Sequence, residues 1–339
     1  IEDILKKVIK EIKGSYALII ITPTQLIGIR DPHGIRPLCI GKLDNSWVLA
    51  SESCALDAVG AEFLRDVKPG EIVIIDNEGL KSVQTEACAT PKLCIFEFVY
   101  FARPDSFIDG YSVHKARVEA GKRLAIEHPV EADIVIGAPD GGLNAALGYS
   151  RQSGIPYGHG LLKNKYVGRT FIQPEQGMRE TGVKIKFNAI KSEIAGKRVV
   201  MVDDSIVRGT TTRRIVQMLK DAGAKEVHMR VSSPPYKHPC YFGIDISSSK
   251  QLIAARYTEE EICKIIGADS LGYLSLEGLL QLPMSAADEQ AGGDDAGQTG
   301  KCGREIKISE CGFCTACFNA EYPMEVPAEG NKFCCGSIE

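Results

Sequence analysis

The stretch "VVMVDDSIVRGTT", residues 199–211, places two aspartates directly after an apolar run and follows them with small and hydroxyl-bearing residues. The apolar run predicts a buried strand. A helix N-cap with a solvated neighbour would explain only one of the two acids. A ligand site explains more of the pattern, because a loop entering a helix presents backbone N–H groups and the positive end of the helix dipole to an anion. Since Asp203 and Asp204 can accept hydrogen bonds from vicinal hydroxyls, the stretch predicts a site for a ribose phosphate.

The residues after the aspartates support this interpretation. Ser205, Thr210 and Thr211 add hydroxyl donors, and Gly209 lets the backbone approach the ligand. Mg²⁺ prefers carboxylate and phosphate oxygens, so the same two carboxylates are candidate metal ligands. The stretch is not a Walker loop, because it lacks the G-x-x-x-x-G-K-[ST] pattern.

Around this stretch, residues 91–285 alternate strands with helices. The strand and Gly-rich loop "ADIVIGAPDGG" (132–142) precede a helix, and a strand–helix–strand run occupies residues 196–235. Such alternation predicts an α/β fold with a parallel sheet and helices on both faces. Ligands bind at the carboxyl ends of the strands in such sheets, where loops 139–142 and 203–211 are expected.

The flanking segments differ in composition. Residues 1–90 read as a helix followed by hairpins with turns at 22–25 and 44–46, which predicts a mainly antiparallel sheet. Residues 286–301 are acidic and rich in Gly and Ala, as is typical of a flexible linker. Residues 302–339 form a cysteine-rich tail.

Composition narrows the functional class. The chain has 339 residues and a net charge of −4, which argues against a nucleic-acid-coating protein. There is no long apolar run and no basic-then-apolar leader, so we expect a cytoplasmic protein without a membrane segment. Six of the twelve cysteines lie in the tail, three of them in "CGFCTACF" (311–318). This C-x₂-C-x₂-C spacing suits a zinc site or an iron–sulfur cluster, with loose reduced thiols as the alternative.

A wider set of strings carries a family resemblance. Two acids after an apolar strand, followed by a small loop, resemble the phosphoribosyl-pyrophosphate motif of type I phosphoribosyltransferases. Five strings, in this order, resemble the glutamine phosphoribosylpyrophosphate amidotransferase family: "IRDPHGIRPLCIG", "ASESCALDAVGAEF", "YFARPDS", "KNKYVGRTFIQP" and "VVMVDDSIVRGTT". The resemblance covers nearly the whole chain apart from the linker.

The resemblance implies a fold and a reaction. It implies a type I phosphoribosyltransferase domain over 91–285, preceded over 1–90 by the later part of an αββα N-terminal-nucleophile glutaminase domain. The reaction is the displacement of pyrophosphate from C1 of phosphoribosyl pyrophosphate by ammonia, normally taken from glutamine. It forms 5-phosphoribosylamine in the first step of purine synthesis and needs no protein nucleophile, so positioning and charge stabilisation supply most of the effect.

The family's substrate-binding roles transfer residue by residue. Asp203 and Asp204 would hold the ribose hydroxyls and Mg²⁺. The 5′-phosphate would be bound by the loop Ser205, Ile206, Val207, Arg208, Gly209 and Thr210. The pyrophosphate loop would be Pro139, Asp140, Gly141 and Gly142, whose backbone N–H groups cradle the leaving group. Gly141 departs from the family, which usually has Ser or Thr there, so we expect the departure to affect metal affinity and turnover unless a water fills the gap.

A long basic segment, residues 161–187, is a candidate lid. It is poor in strand pattern, and a solvated surface loop is the simpler interpretation, although long loops are often active-site lids. The resemblance implies that Lys163, Tyr166 and Lys186 face the substrate and its pyrophosphate when the segment closes.

The resemblance also assigns cysteines to a [4Fe–4S] cluster, as in the iron–sulfur branch of the family. Its ligands would be Cys94, Cys240, Cys314 and Cys317. The first two fit only if the tail folds back onto the transferase domain, which makes the cluster a structural staple. Cys302 and Cys311 are spare or substitute ligands, and we assign no role to Cys334 and Cys335.

The early motifs of the family's glutaminase domain are not found. The chain starts with Ile1 and lacks the cysteine nucleophile, the glutamine-binding arginine and the Asn-Gly oxyanion pair. We therefore expect activity with ammonia only. The resemblance further implies inhibition by purine nucleotides and a homotetramer.

Three other functions fit parts of the sequence. A salvage phosphoribosyltransferase would share the loop at 203–211 but would need a base-stacking hood and would not use the cysteines. A non-enzymatic sensor of phosphoribosyl pyrophosphate or nucleotides would tolerate Gly141 but would not need a closing clamp. A standalone redox protein would have no use for the strand-end acids.

Overall fold

The computed structural model describes residues 1–85, 89–164, 166, 187–246, 248–281 and 312–327. These residues form two compact units. Among the described residues, unit 1 falls within the bounds Ile1–Val113, His238–Ser248 and Ala286–Glu339, and unit 2 within His114–Lys237 and Ser249–Ser285. No helix in the described part of the chain is long and apolar enough to cross a membrane.

The described α-helices are α1 (Glu2–Glu11), α2 (Ser53–Val59), α3 (Val113–Glu127), α4 (Leu143–Ser153), α5 (Lys191–Ile194), α6 (Thr210–Asp221), α7 (Glu259–Ile266) and α8 (Ala316–Asn319). The described strands are β1 (Ala17–Ile21), β2 (Leu26–Arg30), β3 (Cys39–Leu43), β4 (Ser46–Ala50), β5 (Glu62–Asp66), β6 (Glu71–Asp76), β7 (Gly79–Gln84), β8 (Leu93–Cys94), β9 (Phe107–Ile108), β10 (Tyr111–Ser112), β11 (Ile134–Gly137), β12 (Leu161–Lys163), β13 (Phe187–Ala189), β14 (Arg198–Asp203), β15 (Glu226–Val231), β16 (Ser270–Tyr273) and β17 (Phe313–Cys314). A π-helical turn spans Glu97–Phe101, and 3₁₀ turns span Ser249–Gln251 and Ile253–Ala255.

The hairpins predicted in residues 1–90 form two antiparallel sheets of unit 1, with the strand orders β1-β2-β6-β7 and β4-β3-β5. Unit 1 also contains the short antiparallel pair β9–β10. Leu5 and Ile9 lie one helical turn apart on α1 and pack into the core of the first sheet with Ile27 and Ile72. The apolar face of this amphipathic helix packs on the apolar face of the sheet, and the helix predicted at the start of the chain is present.

Unit 2 is built on the predicted parallel sheet. Its strand order is β11-β14-β15-β16, and every pair is parallel. Consecutive residues of β14 from Val199 to Val202 are fully buried, so both faces of the strand are covered. Ile215 and Leu219 of α6 pack into the core with Val199, and α4 contacts β11 and β14. The predicted strand–helix alternation is confirmed.

Two features of unit 2 position its loops. α7 begins with a capping box, in which the Thr258 hydroxyl accepts from the Glu261 N–H and the Glu261 carboxylate accepts from the Thr258 N–H. The lid candidate begins and ends in a short antiparallel ribbon, β12 paired with β13, which its strand-poor sequence did not predict. Three-residue strands are too short to show a period, so only the fold reveals them.

The compact units do not coincide with the domains expected from the sequence. Unit 1 takes in 91–113 and 238–248, which the sequence analysis assigned to the strand–helix domain. Compact units are groups of contacting residues rather than family domains, so the domain bounds 1–90, 91–285, 286–301 and 302–339 stay a prediction.

Candidate functional site

The two predicted acids lie at the carboxyl end of β14, between two parallel neighbours. The Ala138 N–H donates to the Val202 carbonyl at 2.8 Å, and the Ser232 N–H donates to the Asp203 carbonyl at 2.9 Å. Hydrogen bonds from the residues that follow β11 and β15 therefore fix the backbone where β14 becomes the loop.

The two carboxylates are held in a buried, polar arrangement. The Asp204 N–H donates to Asp203 Oδ1 at 2.9 Å, and the Ser205 hydroxyl donates to Asp204 Oδ1 at 2.6 Å. Burial, followed by the charge of Asp204, raises the pKa of Asp203 well above its usual value. Burial raises the pKa of Asp204 to about 6, while the Ser205 hydrogen bond and the charge of Arg117 oppose the rise. Such a pair is poised to receive a cation or hydroxyl donors that relieve the repulsion.

The predicted pyrophosphate loop lies directly against these carboxylates. A Cβ atom at Gly141 would lie 1.8 Å from Asp204 Oδ2, and a Cβ atom at Gly142 would lie 2.3 Å from the Val202 carbonyl oxygen. Only glycine fits both positions as the loop stands. The structure thus brings loop 139–142 and loop 203–211 together. It also explains on steric grounds why glycine occupies position 141.

The predicted phosphate loop runs from Ser205 into α6. Gly209 has a φ of +75° and precedes the first residue of α6. The Val207 carbonyl accepts from the Ile253 N–H at 2.9 Å, which anchors the middle of the loop. Thr210 is exposed at the start of the twelve-residue helix, so its hydroxyl and the free N–H groups of the first turn are available to an anion.

The lid candidates are only partly described. Lys163, on β12, forms an ion pair with Asp140 of the pyrophosphate loop, which places its ammonium at the predicted leaving-group site. The Tyr166 side chain is 99% exposed. Lys186 lies outside the described residues.

The aspartate pair fits Mg²⁺ by its chemistry. Among the described residues, no group of three or more His, Cys, Asp or Glu side chains is arranged to hold a metal ion. Mg²⁺ usually takes one or two carboxylates and fills its other positions with water and substrate phosphate oxygens. The pair at the end of β14 offers that number of protein ligands.

The four cysteines assigned to a cluster come together within unit 1. β8 pairs with β17 in parallel, so that Cys94 lies opposite Cys314. The Cys317 carbonyl accepts from the His238 N–H at 3.0 Å, which brings the tail to the segment carrying Cys240. The tail therefore folds back onto the segments around Cys94 and Cys240, as the cluster assignment required.

Their thiols influence one another electrostatically. Burial raises the pKa of Cys317 well above its usual value, and the charges of Cys94, Cys240 and Cys314 raise it further. Four cysteine thiolates are the donor set that a [4Fe–4S] cluster takes, although no group of three or more of the described His, Cys, Asp or Glu side chains is arranged to hold a metal ion. Cys88, Cys302, Cys311, Cys334 and Cys335 lie outside the described residues.

Sequence reasoning missed three charged residues near these sites. Arg117, on α3, acts on Asp204, while Arg36 and Glu97 act on Cys94. Arg36 lies inside the string "IRDPHGIRPLCIG" that carries the resemblance, and Glu97 lies three residues after Cys94, so their places near the assigned cysteines were the available signal. Arg117 gave no such signal, because its helix carries many charges.

Comparison with known proteins places both parts of the chain. Residues 111–241 match the family described as phosphoribosyl transferase domain, and residues 1–58 match the glutamine amidotransferase domain family. The chain is 53% identical to an amidophosphoribosyltransferase of Archaeoglobus fulgidus over 96% of its own length and 66% of the relative's. It is 50% identical to that of Bacillus subtilis over 96% of its own length and 64% of the relative's. The chain thus spans about two thirds of the length of the curated relatives it matches.

A solved structure gives the same answer at the level of the fold. The glutamine phosphoribosylpyrophosphate amidotransferase from B. subtilis, complexed with ADP and GMP, superposes with a TM-score of 0.84 at 50% identity. The match covers 97% of this chain and 68% of that one. Strand-end aspartates beside a glycine loop, together with these similarities over both parts, show that the chain belongs to the amidophosphoribosyltransferase family.

Proposed function

We propose that the protein transfers the phosphoribosyl group of phosphoribosyl pyrophosphate to ammonia, which is either free or released from glutamine. The observation that carries the proposal is the contact between the Asp203–Asp204 pair and the glycine loop at Gly141, at the carboxyl ends of β14 and β11. In the proposed reaction the carboxylates bind the ribose and the glycine loop binds the pyrophosphate, on either side of the C1–O bond that breaks, and the closeness of the two loops supports this arrangement.

Each part of the site has a role in this reaction. Asp203 and Asp204 accept hydrogen bonds from the two ribose hydroxyls. The loop from Ser205 to Thr210 and the N-terminus of α6 bind the 5′-phosphate. The N–H groups of loop 139–142 bind the departing pyrophosphate, whose charge Mg²⁺ would help to neutralise when it is bound at the aspartate pair. Ammonia forms the new C–N bond as the bond to pyrophosphate breaks.

The lid supplies positive charge and excludes water. We propose that the Lys163 ammonium leaves Asp140 when substrate binds and forms an ion pair with the pyrophosphate instead. Tyr166 and Lys186 would then close over the ribose. The ion pair supports this role, because it shows that the ammonium reaches the pyrophosphate loop. Closure in a dry site strengthens each of these charge interactions.

We propose a [4Fe–4S] cluster on Cys94, Cys240, Cys314 and Cys317, as in the iron–sulfur branch of the family. When bound, such a cluster would staple three distant chain segments together. The convergence of these segments in unit 1 supports the assignment. Thiols of this kind stay reduced in the cytoplasm, where we place the protein.

We further propose control by purine nucleotides and assembly into a homotetramer. The relative solved with ADP and GMP supports the first part, because its chain is 50% identical to this one. The tetramer is inferred from the resemblance, and size-exclusion chromatography with light scattering tests it directly.

The first experiment measures pyrophosphate release by anaerobically purified protein with phosphoribosyl pyrophosphate and Mg²⁺. Ammonia and glutamine are supplied in separate reactions. Release with ammonia supports the transferase, and release with glutamine as well shows that the glutaminase reaction is also present. Asp204→Asn should abolish release, whereas Asp221→Asn, an exposed carboxylate at the end of α6, should not. No release by protein that still binds the substrate would refute the proposed activity and favour a sensor.

A further inference from the structure

An ion pair between the partly exposed Arg36 and the buried Glu97 lies beside the cysteines but outside the phosphoribosyl site. The Arg36 Nη1 atom donates to Glu97 Oε1 at 2.6 Å, and only 4% of Glu97 is exposed. Both residues belong to unit 1, as do the four cysteines. The phosphoribosyl chemistry lies in unit 2 and does not use the pair.

Backbone contacts fix Arg36 next to two of the cysteines. The Cys94 N–H donates to the carbonyl of Ile35 at 3.2 Å, so Cys94 runs alongside the residue before Arg36. On the other side, a Cβ atom at Gly243 would lie 1.7 Å from Arg36 Nη2. The guanidinium therefore rests on the backbone three residues after Cys240, where only glycine leaves room for it.

Further contacts hold the guanidinium in this place. The Phe101 ring lies 5.3 Å from the Arg36 Cζ atom, and the Asp31 carboxylate accepts from the Arg36 backbone N–H at 3.0 Å. The guanidinium is paired with the Glu97 carboxylate and packed against an aromatic ring and a glycine, and Asp31 fixes the backbone that carries it, so it has little freedom to turn away. Its charge is fixed relative to the thiols.

The two charges act on the cysteines with opposite sign. Arg36 brings a positive charge next to the backbone of the segments that carry Cys94 and Cys240, and Glu97 brings a negative charge three residues after Cys94. Arg36 thus favours negative charge on the sulfur atoms, and Glu97 opposes it. Net charge around an iron–sulfur cluster is one of the factors that set its reduction potential.

We propose that the Arg36–Glu97 ion pair sets the charge balance of the [4Fe–4S] cluster, with Arg36 stabilising the added electron and Glu97 opposing it. The step in question is the one-electron reduction of the oxidised cluster, for which dithionite is the reductant in the assay. The inference rests on the proposed cluster and assigns to it two residues that bind no iron.

The test is a set of charge variants in the full chain, purified without oxygen. Midpoint potentials are measured by dithionite titration with electron paramagnetic resonance detection. Arg36→Met should lower the midpoint potential by about 59 mV, which corresponds to a tenfold lower ratio of reduced to oxidised cluster at a fixed solution potential. Glu97→Gln, which keeps the shape of the side chain, should shift the ratio in the opposite direction. Arg36→Lys keeps the charge and should stay closer to the wild type than Arg36→Met.

Opposite shifts separate an electrostatic role from a structural one. Shifts of the same sign, or no shift in Glu97→Gln, would overturn the inference even if Arg36→Met failed to fold. Wild-type protein without iron, sulfide or a charge-transfer absorption band would refute the cluster itself, and the inference with it. Pyrophosphate release measured on the same samples reports separately on the proposed transferase.

Discussion

Replacing Asp204 by asparagine should make the metal-free protein more stable at alkaline pH while abolishing its activity. Burial raises the pKa of this carboxyl from 3.8 to about 6. A carboxyl with a raised folded-state pKa lowers stability as the pH rises from the unfolded value to the folded one. A shift of about 2 pKa units lowers the free energy of unfolding by about 3 kcal/mol. This loss of stability is complete well above pH 6 and almost absent at pH 4.

The assay is urea unfolding with a metal chelator at pH 4 and pH 8. The free energy of unfolding of Asp204→Asn should exceed that of the wild type by about 3 kcal/mol at pH 8 and by less than about 1 kcal/mol at pH 4. Asp221→Asn is the matched control for removing one carboxylate from the same unit, and it should show no such pH-dependent gain. Equal stabilities of wild type and Asp204→Asn at pH 8 would show that the carboxylate is not held at a cost, and the metal argument would fail with it.

Three further substitutions test the site and the fold. Gly141→Ala should weaken Mg²⁺ affinity about tenfold by calorimetry, because its Cβ would lie 1.8 Å from Asp204 Oδ2. Gly141→Ser should recover part of this loss through its hydroxyl. Equal Mg²⁺ affinities of the wild type and Gly141→Ala would contradict the prediction. Lys163→Ala and Lys186→Ala should each lower turnover about a hundredfold with the unfolding midpoint unchanged, and wild-type kinetics in either would refute the lid. Thr258→Ala should cost about 1 kcal/mol in unfolding with no change in turnover, because it removes the cap of α7.

The parallel sheet was predictable because its signals are local. The apolar run from Val199 to Val202 ends in two acids, and the helix after it has an apolar stripe through Ile215 and Leu219. Such patterns follow from burial and periodicity alone. The same reasoning placed both ligand loops at one edge of the sheet.

Other features depend on contacts that no local pattern contains. The steric demand at Gly141 arises from Asp204, which follows β14 in a different loop, so the sequence showed only a departure from the family at that position. The ion pair of Lys163 with Asp140 joins two loops, and the Arg36–Glu97 pair joins two distant segments. Each requires the fold before it can be seen.

The parallel pairing of β8 with β17 constrains when the protein can mature during synthesis. Cys94 meets Cys314 across most of the chain, so the pairing waits until the tail has left the ribosome. At typical elongation rates that delay is on the order of ten seconds or more after Cys94 emerges. Until then Leu93 and its apolar neighbours lack their partner strand, and a nascent chain stalled before the tail would be a target for chaperones. Insertion of the proposed cluster would therefore have to follow synthesis of the tail.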